Sequence, residues 1–266
     1  GDKIASIDGK ITKDMALDEA VSLIRGPAGS KVKLSVLRKS WKEAKDFDIV
    51  RAKIEIKPVE TKIFDSGSIV YIKLNTFENL HSAQEFEKAL RKYQSADGLV
   101  IDLRNNGGGL LQAAIDIGSM FIDKGSIVQT VDRDGNKEQL ESTGRVIWRK
   151  PTVVIINEAS ASASEILSGA LRDNKIATIV GTHSFGKACV QKVRRLNDGS
   201  ALLVTIAKYI TPNGEDINKK GIKPDIEVNV PSAEAEAMLE GTNAPVKDAE
   251  DKQLQKALEE IRLLIK

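Results

Sequence analysis

The sequence predicts an α/β fold on a mixed, largely parallel sheet, preceded by a small β-rich module. Two stretches, 99–103 and 152–156, are short continuous apolar runs of the kind buried on both faces of a sheet. A turn of small residues follows each of them, Gly107-Gly108-Gly109 after the first and Ser160-Ala161-Ser162 after the second, and then a helical pattern begins. Repetition of strand, small-residue turn and helix is the pattern of parallel strands joined by crossovers.

Taken in order, residues 3–7 read as a short strand, Asp8-Gly9 as a turn, and 17–25 as a helix with Leu17, Ala20, Val21 and Ile24 on one face. Gly26-Pro27-Ala28-Gly29 breaks that helix, and the alternating stretches 32–36 and 47–50 read as strands. From residue 54 the pattern changes. Residues 70–74 form a strand and 82–93 a helix with Phe86, Ala89, Leu90 and Tyr93 on one stripe; the strand at 99–103 leads to a helix at 110–121. The strand at 152–156 leads to a helix at 163–171, and strands follow at 178–180 and 202–209. The tail reads as two helices around a polar break at 241–248, the second carrying Leu254, Leu258, Ile261 and Leu264 on one face, which predicts packing on the chain's own core. The expected divisions are 1–52, 53–231 and 232–266.

Composition narrows the function classes. Hydrophobic residues at 41% and charged residues at 29% are ordinary for a globular protein, and the net charge of +2 argues against nucleic acid as a partner. The apolar runs are strand-sized, far short of a membrane span. One cysteine, Cys189, excludes an internal disulfide and a cysteine-based zinc site. The chain opens on Gly1-Asp2-Lys3-Ile4 directly in a strand pattern, so further sequence, including any export signal, is expected upstream.

Chemistry in such sheets sits beyond the carboxyl ends of the strands. The glycine run 107–109 lets backbone N–H groups face a substrate oxygen, although a tight strand-to-helix turn alone would also use it; the Gly-Lys-Ser or Gly-Lys-Thr of a phosphate loop is absent. Ser160, Ser162 and Ser164 stand at a helix N-terminus, where one is expected to serve only as the cap. A serine nucleophile needs a base. His81 reads as a helix-entry residue, which leaves His183 and Lys187 as candidates. Lysine serves as a base at neutral pH only when burial lowers its ordinary pKa of about 10.4; the small, apolar surroundings 185–190 offer a route to burial, but most lysines are solvated and the residues alone read Lys187 as a surface lysine.

With these motifs in order, the chain resembles the carboxyl-terminal processing peptidases, or tail-specific proteases. The matching segments are Ser160-Ala161-Ser162-Ala163-Ser164-Glu165, Phe185-Gly186-Lys187, Asp102-Leu103-Arg104-Asn105-Asn106 with its three glycines, and Tyr209-Ile210-Thr211-Pro212-Asn213-Gly214 with Gly221-Ile222-Lys223-Pro224-Asp225. The resemblance implies a crotonase- or ClpP-like protease core and a Ser/Lys dyad of Ser162 and Lys187, with Gln191 orienting the amine. It also implies an oxyanion hole from the N–H groups of Ala163 and Gly109, a structural role for Asp173 near Lys175, and no metal or cofactor. Cys189 departs from the small residue expected at its position.

Residues 1–52 are similar to the second half of a PDZ domain. In that family this domain binds substrate C-termini as an added strand, so Leu17, Val21 and Ile24 on the groove helix are the expected substrate contacts, while the carboxylate-binding loop would lie upstream. The implied function is endopeptidase action on exported or envelope proteins with apolar C-terminal tails, in a bacterial periplasm or cell envelope. The resemblance leaves room for a homo-oligomer and for an adaptor or regulatory protein. Two alternatives compete: a catalytically weak PDZ-type binding protein on the same fold, and a crotonase-like acyl-CoA enzyme, which leaves the Phe-Gly-Lys and Pro-Asn-Gly motifs unexplained.

Overall fold

The computed structural model describes residues 2–38, 40–53, 57–196, 198–229 and 248–266. It divides into two compact units, one from the N-terminus to Glu55 and the other built on Ile56–Val230 and Val246–Lys266.

The first unit is a four-stranded antiparallel sheet with one helix. Its strands β1 (Lys3–Ile7), β2 (Lys10–Ile11), β3 (Lys31–Leu37) and β4 (Lys45–Val50) lie in the order β2-β1-β3-β4. Alternation along β3 turns Val32 and Leu34 inward against Ile7, and helix α1 (Leu17–Ile24) covers them with Ala20, Leu23 and Ile24. The core is small, with three buried apolar side chains among the described residues.

The second unit carries a six-stranded sheet in the order β14-β11-β10-β7-β6-β5. The strands are β5 (Val59–Phe64), β6 (Ile69–Leu74), β7 (Gly98–Asp102), β10 (Thr152–Ile156), β11 (Ala177–Gly181) and β14 (Ile226–Glu227), and all are parallel except β5. Helices α2 (Ser82–Lys92), α3 (Leu111–Ser119) and α4 (Ala163–Asp173) follow β6, β7 and β10. Because the sheet grows steadily in one direction from β6 to β11, crossovers of one hand place these three helices on one face. Strand alternation sorts the core accordingly: Val70, Ile72, Leu99, Ile101, Val154 and Ile156 point to those helices.

Ile69, Tyr71, Val100, Val153, Ile155 and Val180 point to the opposite face, where the C-terminal helix α5 (Lys252–Leu264) covers them with Leu254, Ala257, Leu258 and Ile261. Asp251 caps that helix by accepting the Leu254 N–H at 2.9 Å. The expected packing on the chain's own core therefore holds for this helix, except that Leu264 is exposed. The helix expected before it, and the break between them, lie outside the described residues up to 247.

A second, antiparallel sheet in the order β12-β13-β8-β9 uses β8 (Ser126–Asp132), β9 (Lys137–Glu141), β12 (Cys189–Arg195) and β13 (Ala201–Ile210). Only residues 207–210 of β13 reach β8; beyond them β12 and β13 form a two-stranded ribbon with Leu202, Leu203 and Val204 exposed.

Candidate active site

Parallel strands end together, so the turns after β7, β10 and β11 meet at one edge of the sheet. Ala161 N–H donates to the Asn106 carbonyl at 3.0 Å, and Phe185 N–H donates to the Ser160 carbonyl at 3.0 Å, which stitches the three turns together.

The three serines of the second turn have different fates. Ser160 is fully buried; its hydroxyl donates to the Leu103 carbonyl at 2.8 Å and accepts the Asn157 N–H. Ser164 is also fully buried, and its hydroxyl donates to the Asn106 carbonyl at 2.9 Å. Both fasten the turn. Ser162 is half-buried at the N-cap of α4, and its hydroxyl is not committed to a backbone carbonyl. Its backbone has φ 56° and ψ −114°, a region non-glycine residues rarely occupy and one that stores on the order of 1–3 kcal/mol.

The glycine run packs on this serine unequally. Gly107 is open, with nothing near the position of a Cβ. Gly108, at φ 95°, lies against the second turn so tightly that a Cβ would stand 2.6 Å from the Ala161 oxygen, 2.8 Å from the Ala163 nitrogen and 2.9 Å from Ser162 Cβ. Gly109, at φ 144°, presses instead on Phe77 and Glu78. Gly108 N–H is taken by the Asn106 side chain at 2.9 Å. The N–H groups of Gly109 and Ala163 have no hydrogen-bond acceptor among the described residues.

Glu165, on the first turn of α4, joins the serine to the loop that carries Lys187. It is 1% exposed, and its carboxylate accepts four hydrogen bonds. Oε1 takes the Ser184 hydroxyl and the Gly186 N–H, both at 2.6 Å; Oε2 takes the N–H groups of Ser162 at 2.8 Å and Lys187 at 2.9 Å. One oxygen thus holds the backbones of both residues of the expected dyad. The loop is braced from behind by the late glycine motif: Ile222 N–H donates to Ser184 Oγ, Ser184 N–H donates to the Ile222 carbonyl, and Lys219 N–H donates to the Gly186 carbonyl. Gly186 and Gly221, both at positive φ, allow this approach.

At the start of the first turn lies a buried ion cluster. Alternation places Asp102 on the same face as Val100, toward α5. Arg104 presents Nε and Nη2 to the Asp102 carboxylate and Nη1 and Nη2 to Asp251, with Nη1–Oδ1 and Nη2–Oδ2 contacts to Asp251 of 2.8 Å. The Tyr71 hydroxyl donates to Asp102 at 2.7 Å. Burial alone would push the Asp102 carboxyl up, but the Arg104 charge and its bonds hold it below the ordinary value. Burial and the Asp102 charge raise the Tyr71 hydroxyl, which stays a neutral donor.

Residues 68–228 match peptidase family S41. The chain is 43% identical over 235 residues to a carboxyl-terminal-processing protease of Synechocystis, covering 86% of this chain and 55% of that protein. It is 41% identical over 241 residues to a carboxy-terminal-processing protease of Bartonella bacilliformis, covering 88% and 55%. The chain belongs to peptidase family S41. Its fold is similar to that of a solved photosystem II D1 C-terminal processing protease, with TM-score 0.69, 35% identity, and coverage of 86% of this chain and 63% of that one. The expected family and the expected α/β class with a largely parallel sheet both hold. The chain spans about half the length of the curated relatives it matches.

Against this S41 background the remaining expected residues divide. Lys187 is exposed, not buried, and no partner for its amine is found among the described residues. The apolar neighbours do not cover it because Phe185 itself points outward, 64% exposed. Gln191 begins the exposed stretch of β12 after a register shift at Val190, and its side chain is not bonded to Lys187. His183 is exposed, and His81 is engaged with Gln84 on α2. Asp173 is structural as expected, but it pairs with Arg172 at 3.0 Å and accepts the Asn213 N–H rather than meeting Lys175. Cys189 is half-buried and donates to Asn218 Oδ1 at 3.5 Å.

In the N-terminal unit, Leu17 is 78% exposed and Val21 half-buried, whereas Ile24 faces the unit's own core. Among the described residues no cluster of His, Cys, Asp and Glu is arranged to hold a metal ion, and no helix is long and apolar enough to cross a membrane. Glu165 is the functional residue that sequence reasoning missed. The only local signal was its place three residues after Ser162, which reads as an ordinary helix-capping position.

Proposed function

We propose that the chain is the serine endopeptidase portion of a carboxyl-terminal processing protease. Ser162 is the observation that carries this reading: a hydroxyl not committed to a backbone carbonyl among the described residues, on a strained backbone at a helix N-terminus, next to a glycine turn whose Gly109 N–H has no acceptor among them. In this mechanism Lys187 takes the Ser162 proton, and Oγ attacks the scissile carbonyl. The Ala163 and Gly109 N–H groups receive the oxyanion. Lys187 then protonates the leaving amine, and water hydrolyses the acyl-enzyme with the same base.

A lysine amine must shed its proton to act, which exclusion of water favours. Bound peptide lying over Phe185 and Lys187 supplies that exclusion in this scheme, with Gln191 turning to orient the amine. Substrates are exported or envelope proteins with apolar C-terminal tails. Leu17 and Val21 of a PDZ-type unit contact the tail, a reading supported by the exposure of Leu17. Cleavage of an unfolded, apolar-tailed protein tests the scheme. Ser162→Ala and Lys187→Ala are each expected to lose about 10³-fold or more in kcat; wild-type rates in both variants would refute the dyad.

A tail-binding protein without catalysis is the second reading, favoured by the exposed Lys187. It prevails if the wild-type chain binds tail peptides and cleaves none.

A further inference from the structure

The C-terminal helix reaches the candidate site through the buried Asp251 carboxylate, with a longer contact of 3.4 Å from Arg104 Nη1 to Gln253 Oε1 beside it. From the geometry we infer that Asp251 is a positioning residue for the oxyanion turn, acting through Arg104; this rests on the peptidase reading above. Arg104 is 7% exposed and lies between the end of β7 and the turn that carries Asn106 and Gly108. Its fork is gripped on both edges, by Asp102 from its own strand and by Asp251 from the N-cap of α5. Its backbone N–H is also held, by Asp102 Oδ1 at 2.8 Å. The residue therefore has little freedom as long as both carboxylates are present.

Arg104 leads directly into the functional turn. Asn105 N–H donates to Asn157 Oδ1 at 2.9 Å, and Asn106 receives the Gly108 N–H on its side chain. The Asn106 carbonyl receives the Ala161 N–H and the Ser164 hydroxyl. A shift of Arg104 passes through Asn105 and Asn106, whose side chain holds the Gly108 N–H, to the glycine against which Ser162 is packed. Asp251 is thus more than a helix cap. Two oxygens in one plane meet two guanidinium nitrogens, while Oδ1 also accepts the Leu254 N–H.

Asp251→Asn separates the two roles. Asparagine caps a helix as well as aspartate does, but one of its two terminal groups is a donor, and it would face a guanidinium that only donates. The expected result is a folded protein whose kcat, per active site titrated with a fluorophosphonate, falls at least about ten-fold with KM nearly unchanged. Exchange of the Gly108 amide is expected to accelerate by about the same factor. Leu258→Ala loosens α5 without touching the clamp and serves as the control, with kcat per titrated site and Gly108 exchange as in wild type.

Unchanged kcat and unchanged exchange in Asp251→Asn would leave Asp251 a helix cap and overturn the proposal. An equal loss in Leu258→Ala would also overturn it, since any loosening of the helix would then suffice. Should the Asn variant not fold, Asp251→Ser, another good cap lacking the charge, takes its place in the same assays. If the wild-type chain cleaves nothing, the peptidase reading fails, and the amide-exchange comparison alone still decides the coupling.

Discussion

Replacing Gly108 by alanine should damage the site far more than replacing its neighbour Gly107. At Gly108 the new methyl would stand 2.6 to 2.9 Å from Ala161 O, Ala163 N and Ser162 Cβ, where ordinary contact is about 3.5–4.0 Å. Two of the three atoms are backbone, so relief requires moving the serine turn or the glycine turn by close to an ångström. Overpacking of this kind costs about 1–3 kcal/mol, and holding alanine at positive φ adds about 1–2 kcal/mol. The expected destabilisation of about 2–5 kcal/mol lowers Tm by several degrees. A misplacement near 1 Å at the nucleophile costs about 10²-fold in rate. Gly107 is exposed with open space around it, so Gly107→Ala should stay within about 0.5 kcal/mol of wild type and keep its activity. Differential scanning calorimetry and kcat/KM on a peptide substrate measure both quantities. Gly108→Ala with wild-type Tm and kcat/KM would show that the two turns are not packed as described.

Glu165→Gln puts an amide donor where the carboxylate now accepts from donors on both oxygens, so either the Ser162–Lys187 pair or the Ser184–Gly186 pair loses its acceptor. We expect kcat to fall about 10²-fold with KM little changed, read by steady-state kinetics on folded protein; a loss under about three-fold would refute its organising role. Acid should unfold the second unit partly through Asp102. Its folded carboxyl titrates below the unfolded value of about 3.9, so its stabilisation is complete above that pH and is lost as pH falls through the folded value. Urea midpoints measured between about pH 5 and pH 2 should fall more steeply for wild type than for Asp102→Asn, and parallel slopes would assign the acid sensitivity elsewhere.

The sheet and its helices were legible because their signals are local. Residues 99–101 and 153–156 are buried on both faces and read as unbroken apolar runs, and Phe86, Ala89 and Leu90 recur at helical spacing on α2. Strands β5, β8 and β9 escaped notice because they are edge or half-covered strands. Val59–Phe64, for example, carries Glu60, Thr61 and Lys62 in succession and shows no inward run. Ser162 was separated from its neighbours by family spacing, and the buried hydroxyls of Ser160 and Ser164 now give a physical reason. At Lys187 the reading of the residues alone, a surface lysine, matches its exposure, whereas the burial that a base needs was not supplied by its apolar neighbours because Phe185 points outward. Glu165 and Asp251 were illegible for a different reason. Their partners lie 19 to 22 residues and 147 residues away along the chain, and no window of sequence brings them together.

The covering of the sheet's second face by α5 also sets an order of events during folding. Strands β6, β7, β10 and β11 and helices α2 to α4 precede α5 in the chain, so a nascent polypeptide can assemble the sheet and the first helical layer before α5 has been synthesised. At that stage Val100, Val153, Ile155 and Val180 have no cover, and Arg104 has one carboxylate instead of two. Arrival of Leu254, Leu258 and Ile261 closes the apolar face, and Asp251 at the head of the same helix completes the grip on Arg104. The second carboxylate on Arg104 is thereby supplied by an element that follows every strand of the sheet in the chain, so the turn after β7 gains its full support only once both faces of the sheet are covered.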